Sequence, residues 1–220
     1  MSELLKRFIS SVILFPILIF LILDGSIFFI LFILVCLIIS FYEWNNLVKK
    51  NDYIKGIGFV FLVFSFYSIY ELRTKFENNY LYLLIIFLIC VTTDTGGYIF
   101  GRVFKGPKLT KISPNKTYSG MIGSYVLTLL SLIIFNNLFL EETFNLKSNA
   151  IYNLLIFGAV VSFISQLGDL VISYFKRIYK IKDTGKIIPG HGGLLDRIDG
   201  MIFAFPFSYI ILTNKIIEIF

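Results

Sequence analysis

Several acidic residues of this 220-residue chain lie inside or beside long apolar runs, where a carboxylate is unusual. One row of polar residues advances by three or four positions at a time: Ser162, Ser165, Asp169, Ser173 and Lys176. That spacing places all five on one face of an α-helix. A carboxylate at the centre of a membrane helix costs about 2.5–3.5 kcal/mol, so Asp169 requires a partner or a water-filled cavity. The alternative is a polar stripe that joins helices, for which Ser or Asn would suffice.

A second acid, Asp94, stands near the end of another apolar run and is followed by Gly96, Gly97 and Gly101. Gly97 and Gly101 are four residues apart, which opens a small-residue face for close helix packing. Packing explains the glycines and leaves Asp94 unexplained. Asp94 is therefore a candidate site residue.

The segment 176–199 combines six cations with three acids, and its residues 189–193 read Pro-Gly-His-Gly-Gly. Proline and glycine exclude a helix at this point, and a glycine-rich backbone lets N–H groups approach an anion closely. Asp196, Arg197 and Asp199 follow directly. Carboxylates at this spacing suit a hard cation that also binds phosphate oxygens. The alternative interpretation is a solvated, charged loop.

The composition indicates which elements position these residues. The chain is 57% hydrophobic and 15% charged, whereas a soluble domain has about 25% charged residues. Apolar runs recur, each about as long as a helix that crosses a hydrocarbon core of roughly 30 Å. We therefore predict an all-α fold, a polytopic transmembrane bundle in a single integral membrane domain, 1–220. Its seven candidate spans are 8–23, 26–42, 56–70, 80–101, 118–140, 150–176 and 199–217.

The positive charges predict the orientation. With the N-terminus in the cytoplasm, sixteen of the twenty Lys and Arg residues fall in the cytoplasmic segments, which are 1–7, 43–55, 102–117 and 176–199. This bias holds at every crossing, as the positive-inside rule requires. The two long cytoplasmic loops are then 102–117 and 176–199. Cys36 and Cys90 both lie in apolar runs, where a thiol usually behaves as a small hydrophobe.

Taken together, the motifs resemble those of the phosphatidate cytidylyltransferase family, the CDP-diacylglycerol synthases. The resemblance covers residues 92–202, and the segments that carry it are Asp94–Tyr98 with Gly101-Arg102, Ile112–Thr117, Ser165 with Gly168–Leu170, Ser173 with Lys176-Arg177, Lys182–Gly185, Pro189–Gly193, and Asp196-Arg197 with Asp199. The chain departs from the family pattern at three positions. Asn115 stands where the family usually has Lys, Ser119 where it has an acid, and Gly200 where it has Ser. The N-terminal half is also shorter than in many members.

The resemblance implies an enzyme that transfers CMP from CTP to phosphatidate, forming CDP-diacylglycerol and pyrophosphate in phospholipid biosynthesis. The catalytic portion would be 92–202, with the two cytoplasmic loops. The implied partners are CTP, phosphatidate and the lipid bilayer, with no nucleic acid, and the family suggests a homodimer. The implied location is the bacterial inner membrane, with a multi-pass chain whose active site faces the cytoplasm.

The resemblance also implies roles for individual residues. The expected catalytic residues are Asp169, Asp196, Lys176 and Arg197. The expected substrate-binding residues are Ser113, Lys116, Thr117, Arg177, Lys182, His191, Gly192 and Gly193. The expected ligands of Mg²⁺, with a monovalent cation such as K⁺ beside it, are Asp169, Asp196, Asp199, Asp183 and Asp94.

Three other functions stay open at this point. A CTP-dependent lipid-alcohol kinase of the dolichol or phytol kinase type would transfer the γ-phosphate and release CDP. A transporter could carry Asp94 and Asp169 in its pathway, but it would not predict the glycine-rich loop. A structural scaffold explains none of the acids.

Overall fold

A computed structural model describes residues 16–49, 51–75, 79–110, 112–140, 148–185, 187 and 192–219. The described part of α1 covers residues 16–24. The remaining helices are α2 (Ile27–Leu47), α3 (Asp52–Thr74), α4 (Asn79–Phe104), α5 (Tyr118–Phe135), α6 (Ser148–Ile178), α7 (Leu195–Ile198) and α8 (Met201–Thr213). A π-helical turn, Asn136–Leu140, extends α5.

The predicted all-α class is confirmed for the described residues. Five helices, α2 to α6, are long and apolar enough to cross a membrane, so the chain is a multi-pass membrane protein. The candidate span 8–23 lies mostly outside the described residues. The candidate span 199–217 forms α8, whose 13 residues are fewer than the roughly 20 that a crossing needs. The count of seven spans and the orientation of the N-terminus stay predictions.

Polar side chains complete the backbone hydrogen bonds at the helix ends. Asn51 Oδ1 accepts from the N–H of Ile54 at the start of α3, 3.2 Å away. Thr117 Oγ1 accepts from the N–H of Gly120 at the start of α5, 3.1 Å away. Each cap satisfies an N–H group that the first helical turn leaves without a partner. The caps therefore determine where the loops end and the helices begin.

A proline inside α8 is compensated by a neighbouring helix. Pro206 has no N–H, so the carbonyl of Ile202 loses its helical donor. Ser65 of α3 donates its hydroxyl to that carbonyl at 2.7 Å. Because a polar backbone group without a partner is costly in an apolar bundle, this contact fixes α8 against α3.

The closest helix packing joins α4 to α5 through small residues. A Cβ atom on Gly96 would lie 2.6 Å from the carbonyl oxygen of Gly123, and a Cβ atom on Gly120 would lie 2.7 Å from that of Gly97. Only glycine allows the two backbones to approach in this way. The small-residue face predicted at Gly97 and Gly101 is thus a real helix contact.

Buried hydroxyls join three helices just behind this contact. Thr93 of α4 donates to Ser162 of α6 at 2.8 Å and lies 3.1 Å from the hydroxyl of Thr128 on α5. Ser124 of α5 donates to the carbonyl oxygen of Thr93 at 2.7 Å. Contacts of this kind contribute on average about 0.6 kcal/mol each in membrane bundles. They hold α4, α5 and α6 in register beneath the acidic residues.

We predict that Gly96→Ala destabilises the protein, because its added methyl group would meet the backbone of α5. Overpacking of this kind costs about 1–3 kcal/mol, and the thermal unfolding midpoint of the purified protein in detergent should fall. The matched control is Gly56→Ala in α3, where the added Cβ meets nothing within 4 Å and the helix gains about 1 kcal/mol in propensity. Equal midpoints for the two variants would contradict the proposed packing.

Candidate active site

The predicted site residues converge on one cavity of about 410 Å³ at one end of the bundle. α4, α5, α6 and the turn before α8 form its walls, and the loop 105–117 covers one side. Eight residues that the sequence analysis selected line this cavity: Asp94, Ser113, Lys116, Thr117, Asp169, Asp196, Arg197 and Asp199. Acids from three separate elements and cations from two therefore face a common space.

The polar row on α6 faces the interior of the bundle, as its spacing predicts. Ser162, Ser165 and Ser173 are buried. Ser173 donates its hydroxyl to Asp169 Oδ1 at 3.2 Å. The row thus serves two purposes along its length. Ser162 joins helices, whereas Asp169 lies in the cavity.

The loop 105–117 carries Lys116 to the acids of the cavity. An antiparallel bridge pairs Lys108 with Thr117, and the N–H of Leu109 donates to the carbonyl oxygen of Lys116 at 2.8 Å. This folds the loop back on itself. The ammonium of Lys116 then forms an ion pair with Asp169 Oδ2, 2.5 Å away, in which both side chains are about a quarter exposed.

A second ion pair, between Lys176 and Asp196, is more deeply buried. The Lys176 Nζ and Asp196 Oδ1 atoms are 2.9 Å apart, and the side chains are 13% and 6% exposed. The other oxygen, Asp196 Oδ2, accepts from the N–H groups of Thr184 at 2.8 Å and Gly193 at 3.1 Å. Asp196 therefore joins α6 to both ends of the glycine-rich loop.

The carboxyl groups of Asp94, Asp169 and Asp199 all line the cavity. Burial, and then the negative charges of Asp169 and Asp94, raises the pKa of the Asp199 carboxyl well above its usual range. Carboxylates that share a site in this way are stabilised by a cation placed between them. The oxygen donors of Asp94, Asp169 and Asp199 have the chemistry that a hard cation such as Mg²⁺ prefers.

The oxygen donors of these acids are of the type that binds a hard cation. Their side chains, however, are not gathered around a common point. Among the described residues, no three acidic, His or Cys side chains are grouped closely enough to hold a metal ion. Asp169 is paired with Lys116. Asp196 accepts three hydrogen bonds within the protein, one at Oδ1 and two at Oδ2, which leaves about one of its four acceptor positions for an ion.

Other predicted residues that the structure describes are not part of the cavity lining. Arg177 is exposed and donates its Nε–H to the carbonyl oxygen of Ile112 at 3.3 Å. Lys182 and Asp183 are exposed and do not line the cavity. Gly192 has a φ of +86°, a left-handed conformation that favours glycine. Gly193 holds Asp196 through its N–H, and His191 lies outside the described residues.

One buried acid escaped the sequence analysis. Glu43 is 1% exposed and accepts hydrogen bonds from the N–H groups of Leu194 and Leu195. The hydropathy pattern ends the second span at residue 42 and counts Glu43 with a cytoplasmic segment. Helix α2 continues to Leu47, and Trp44 directly after the acid was the available signal of a buried position.

Two of the departures from the family pattern have local explanations. The hydroxyl of Ser119 donates to the carbonyl oxygen of Lys105 and lies 3.0 Å from the hydroxyl of Thr117, so it ties the loop to the start of α5. A Cβ atom on Gly200 would collide with Ser165 Oγ. Glycine at position 200 therefore leaves room for the buried hydroxyl of Ser165 on α6.

Comparisons with known proteins match most of this chain. The model of the cytidylyltransferase family matches residues 53–214. A protein of Rickettsia typhi named phosphatidate cytidylyltransferase is 40% identical over 188 residues, which are 82% of this chain and 79% of that protein. A protein of the same name from Staphylococcus saprophyticus is 41% identical over 160 residues, which are 72% of this chain. The chain spans about half the length of this staphylococcal relative, 55%.

We predict that Lys176→Met lowers stability, because it leaves the Asp196 carboxylate buried without its cation. Breaking one side of a buried pair costs about 3–5 kcal/mol, and the thermal unfolding midpoint in detergent should fall sharply. The matched control is Lys55→Met, whose partner Asp52 is 94% exposed. An exposed pair contributes about 0–1 kcal/mol. A small, equal change in both variants would mean that the Lys176–Asp196 pair does not hold the loop.

Proposed function

The chain belongs to the cytidylyltransferase family, and from this membership we propose that it transfers CMP from CTP to phosphatidate. The observation that carries the proposal is the single cavity in which Asp94, Asp169 and Asp199 meet Lys116 and Arg197. Every residue that lines it lies between Thr93 and Asp199, which supports 92–202 as the catalytic portion. The curated relatives bear the name of this activity.

The reaction makes few demands on acid–base chemistry. An oxygen of the phosphate monoester of phosphatidate attacks the α-phosphorus of CTP, and the bond from that phosphorus to the oxygen of the β-phosphate breaks. The products are CDP-diacylglycerol and pyrophosphate. Because the attacking group is already an anion, the obstacle is to bring it against a triphosphate in line. The protein must supply positive charge and fixed positions.

The loop 105–117 and α7 supply that charge. Ser113, Lys116 and Thr117 line the cavity from the loop, and Arg197 lines it from α7. We propose that these groups bind the phosphates of CTP and of the lipid. Lys176 acts through Asp196, to which it is paired. Arg177, Lys182, His191, Gly192 and Gly193 are proposed to contact the substrates as well.

A divalent cation fits this proposal. Asp169, Asp199 and Asp94 would hold Mg²⁺, with Asp196 and Asp183 as further proposed ligands and a monovalent cation such as K⁺ beside it. A bound divalent cation supplies neutralisation of the triphosphate charge. The proposal is supported by the oxygen donors that face the cavity and by the raised pKa of Asp199.

We also propose a membrane location and orientation for the site. Seven spans with the N-terminus in the cytoplasm would place the cavity on the cytoplasmic side of a bacterial inner membrane, within reach of CTP. The positive-inside bias supports this orientation. A phosphatidate molecule in the inner leaflet would then present its headgroup at the cavity. The homodimer that the family suggests remains a proposal.

We predict that Asp169→Asn lowers the rate of CTP-dependent formation of CDP-diacylglycerol by at least about 10²-fold, because it removes an anionic ligand of the proposed Mg²⁺ and weakens the pair that positions Lys116. Radiolabelled CTP and purified protein in mixed micelles with phosphatidate provide the assay. The matched control is Asp52→Asn, whose side chain is 94% exposed and outside the cavity. Formation of CDP and a phosphorylated lipid alcohol, in place of pyrophosphate, would replace the proposed activity with a kinase.

We predict that chelation of divalent ions stops turnover and that added Mg²⁺ restores it. Asp199→Asn should raise the Mg²⁺ concentration for half-maximal activity by at least about tenfold, since one oxygen ligand is lost. Asp52→Asn should leave that concentration unchanged. Full activity in excess chelator, with the product still CDP-diacylglycerol, would remove the metal from the proposal and leave the CMP transfer intact.

A further inference from the structure

A buried carboxylate outside the cavity holds the loop that precedes Arg197 and Asp199. Glu43 of α2 accepts from the N–H of Leu194 through Oε1 at 3.0 Å, and from the N–H of Leu195 through Oε2 at 2.8 Å. Oε2 also accepts from the hydroxyl of Thr184 at 3.2 Å. The first two partners are 151 and 152 residues away in the chain.

These contacts replace a helix cap that the local sequence lacks. The N-cap residue of α7 is Leu194, which provides no side-chain hydrogen bond. The N–H groups in the first turn of a helix have no acceptor within the helix. Glu43 supplies one from another helix. The position of α7 is therefore determined by α2.

The glycines of the loop fit around the same carboxylate. A Cβ atom on Gly185 would collide with Glu43 Oε1, and a Cβ atom on Gly193 would lie 2.6 Å from Glu43 Oε2. Larger residues at either position would displace the carboxylate or the backbone. Part of the glycine content of this loop thus accommodates Glu43.

Glu43 and Asp196 accept hydrogen bonds from the same two places in the chain, Thr184 and the residues 193–195. The hydroxyl of Thr184 binds Glu43 while the N–H of Thr184 binds Asp196. At the other end of the loop, the N–H of Gly193 binds Asp196 and the next two N–H groups bind Glu43. Both ends of the segment 185–192 are therefore fixed by a pair of carboxylates.

α2 packs against α6 beside this contact. Trp44, the next residue after Glu43, is buried, and its ring lies edge-on to Phe175 of α6, with 5.1 Å between the ring centroids. Phe175 directly precedes Lys176. The same turn of α2 therefore contacts the helix that carries Asp169 and the loop that leads to Arg197.

We propose that Glu43 is a positioning residue for the CTP site: it holds α7 so that Arg197 and Asp199 face the cavity. Glu43 does not line the cavity, and it lies before the residues 53–214 that the family model matches. The inference rests on the proposed function, since it concerns the binding of CTP by the same site. A misplaced binding group costs up to about 100-fold in rate.

The test compares conservative variants of Glu43 in the CTP assay, with rates divided by the amount of folded protein. Glu43→Gln should lower kcat/KM for CTP by about 10- to 100-fold, because its amide NH₂ cannot accept from the loop. Glu43→Asp, which keeps the carboxylate, should recover part of that loss. The matched control is Glu71→Gln in α3, which removes a carboxylate that pairs with Lys75 near the C-terminal end of that helix and should leave kcat/KM unchanged.

A milder variant covers the case in which Glu43→Gln does not fold. Thr184→Val removes only the hydroxyl that binds Glu43 and should lower kcat/KM for CTP in the same direction by a smaller factor. In the double variant the two losses should not add, since the residues share one contact. A lower unfolding midpoint with wild-type kcat/KM per folded molecule, in either variant, would overturn the positioning role. A wild-type protein that forms no CDP-diacylglycerol would instead overturn the proposed function.

Discussion

Charge that is removed from water must be compensated inside the protein, and the acidic end of this bundle is arranged around that requirement. A carboxylate buried without a partner costs several kcal/mol. Asp196 therefore has Lys176 and two loop N–H groups, and Asp169 has Lys116. Each compensation connects separate elements of the chain, so the contacts that neutralise the acids are also the contacts that shape the cavity.

The same requirement governs the uncharged interior. In an apolar medium a backbone carbonyl without a donor is costly, so Ser65 replaces the N–H that Pro206 lacks. The hydroxyl of Thr93 is satisfied by Ser162 and Thr128 on two other helices. Polar groups thus join elements at single points, while apolar contact provides the bulk of the packing. The bundle gains a defined register from a few directional contacts.

The helical repeat of the sequence predicts part of this site, whereas contacts between distant segments could not be predicted. The position of Asp169 follows from a helical repeat, and Asp94 stands out because an acid in an apolar run has few structural uses. Both line the cavity. The pairing of Lys176 with Asp196 has no local signal, and the burial of Glu43 has only the tryptophan that follows it. These contacts arise from helix packing between distant segments, which no repeat in the sequence records. Helix ends were predicted within a few residues, except where polar residues such as Glu43 continue a helix beyond its apolar run.

The glycine contact between α4 and α5 has a mechanical consequence for the cavity. At Gly96 and Gly120, backbone meets backbone, so at these points no side chain lies between the two helices whose rotation could change their separation. The loop 105–117 is held differently, since the partly exposed pair of Lys116 and Asp169 connects it to α6. Such a pair weakens as ionic strength rises. Higher ionic strength should therefore weaken the attachment of the loop 105–117 to α6. The contact between α4 and α5 involves no charged side chain at the two glycines and should keep its shape.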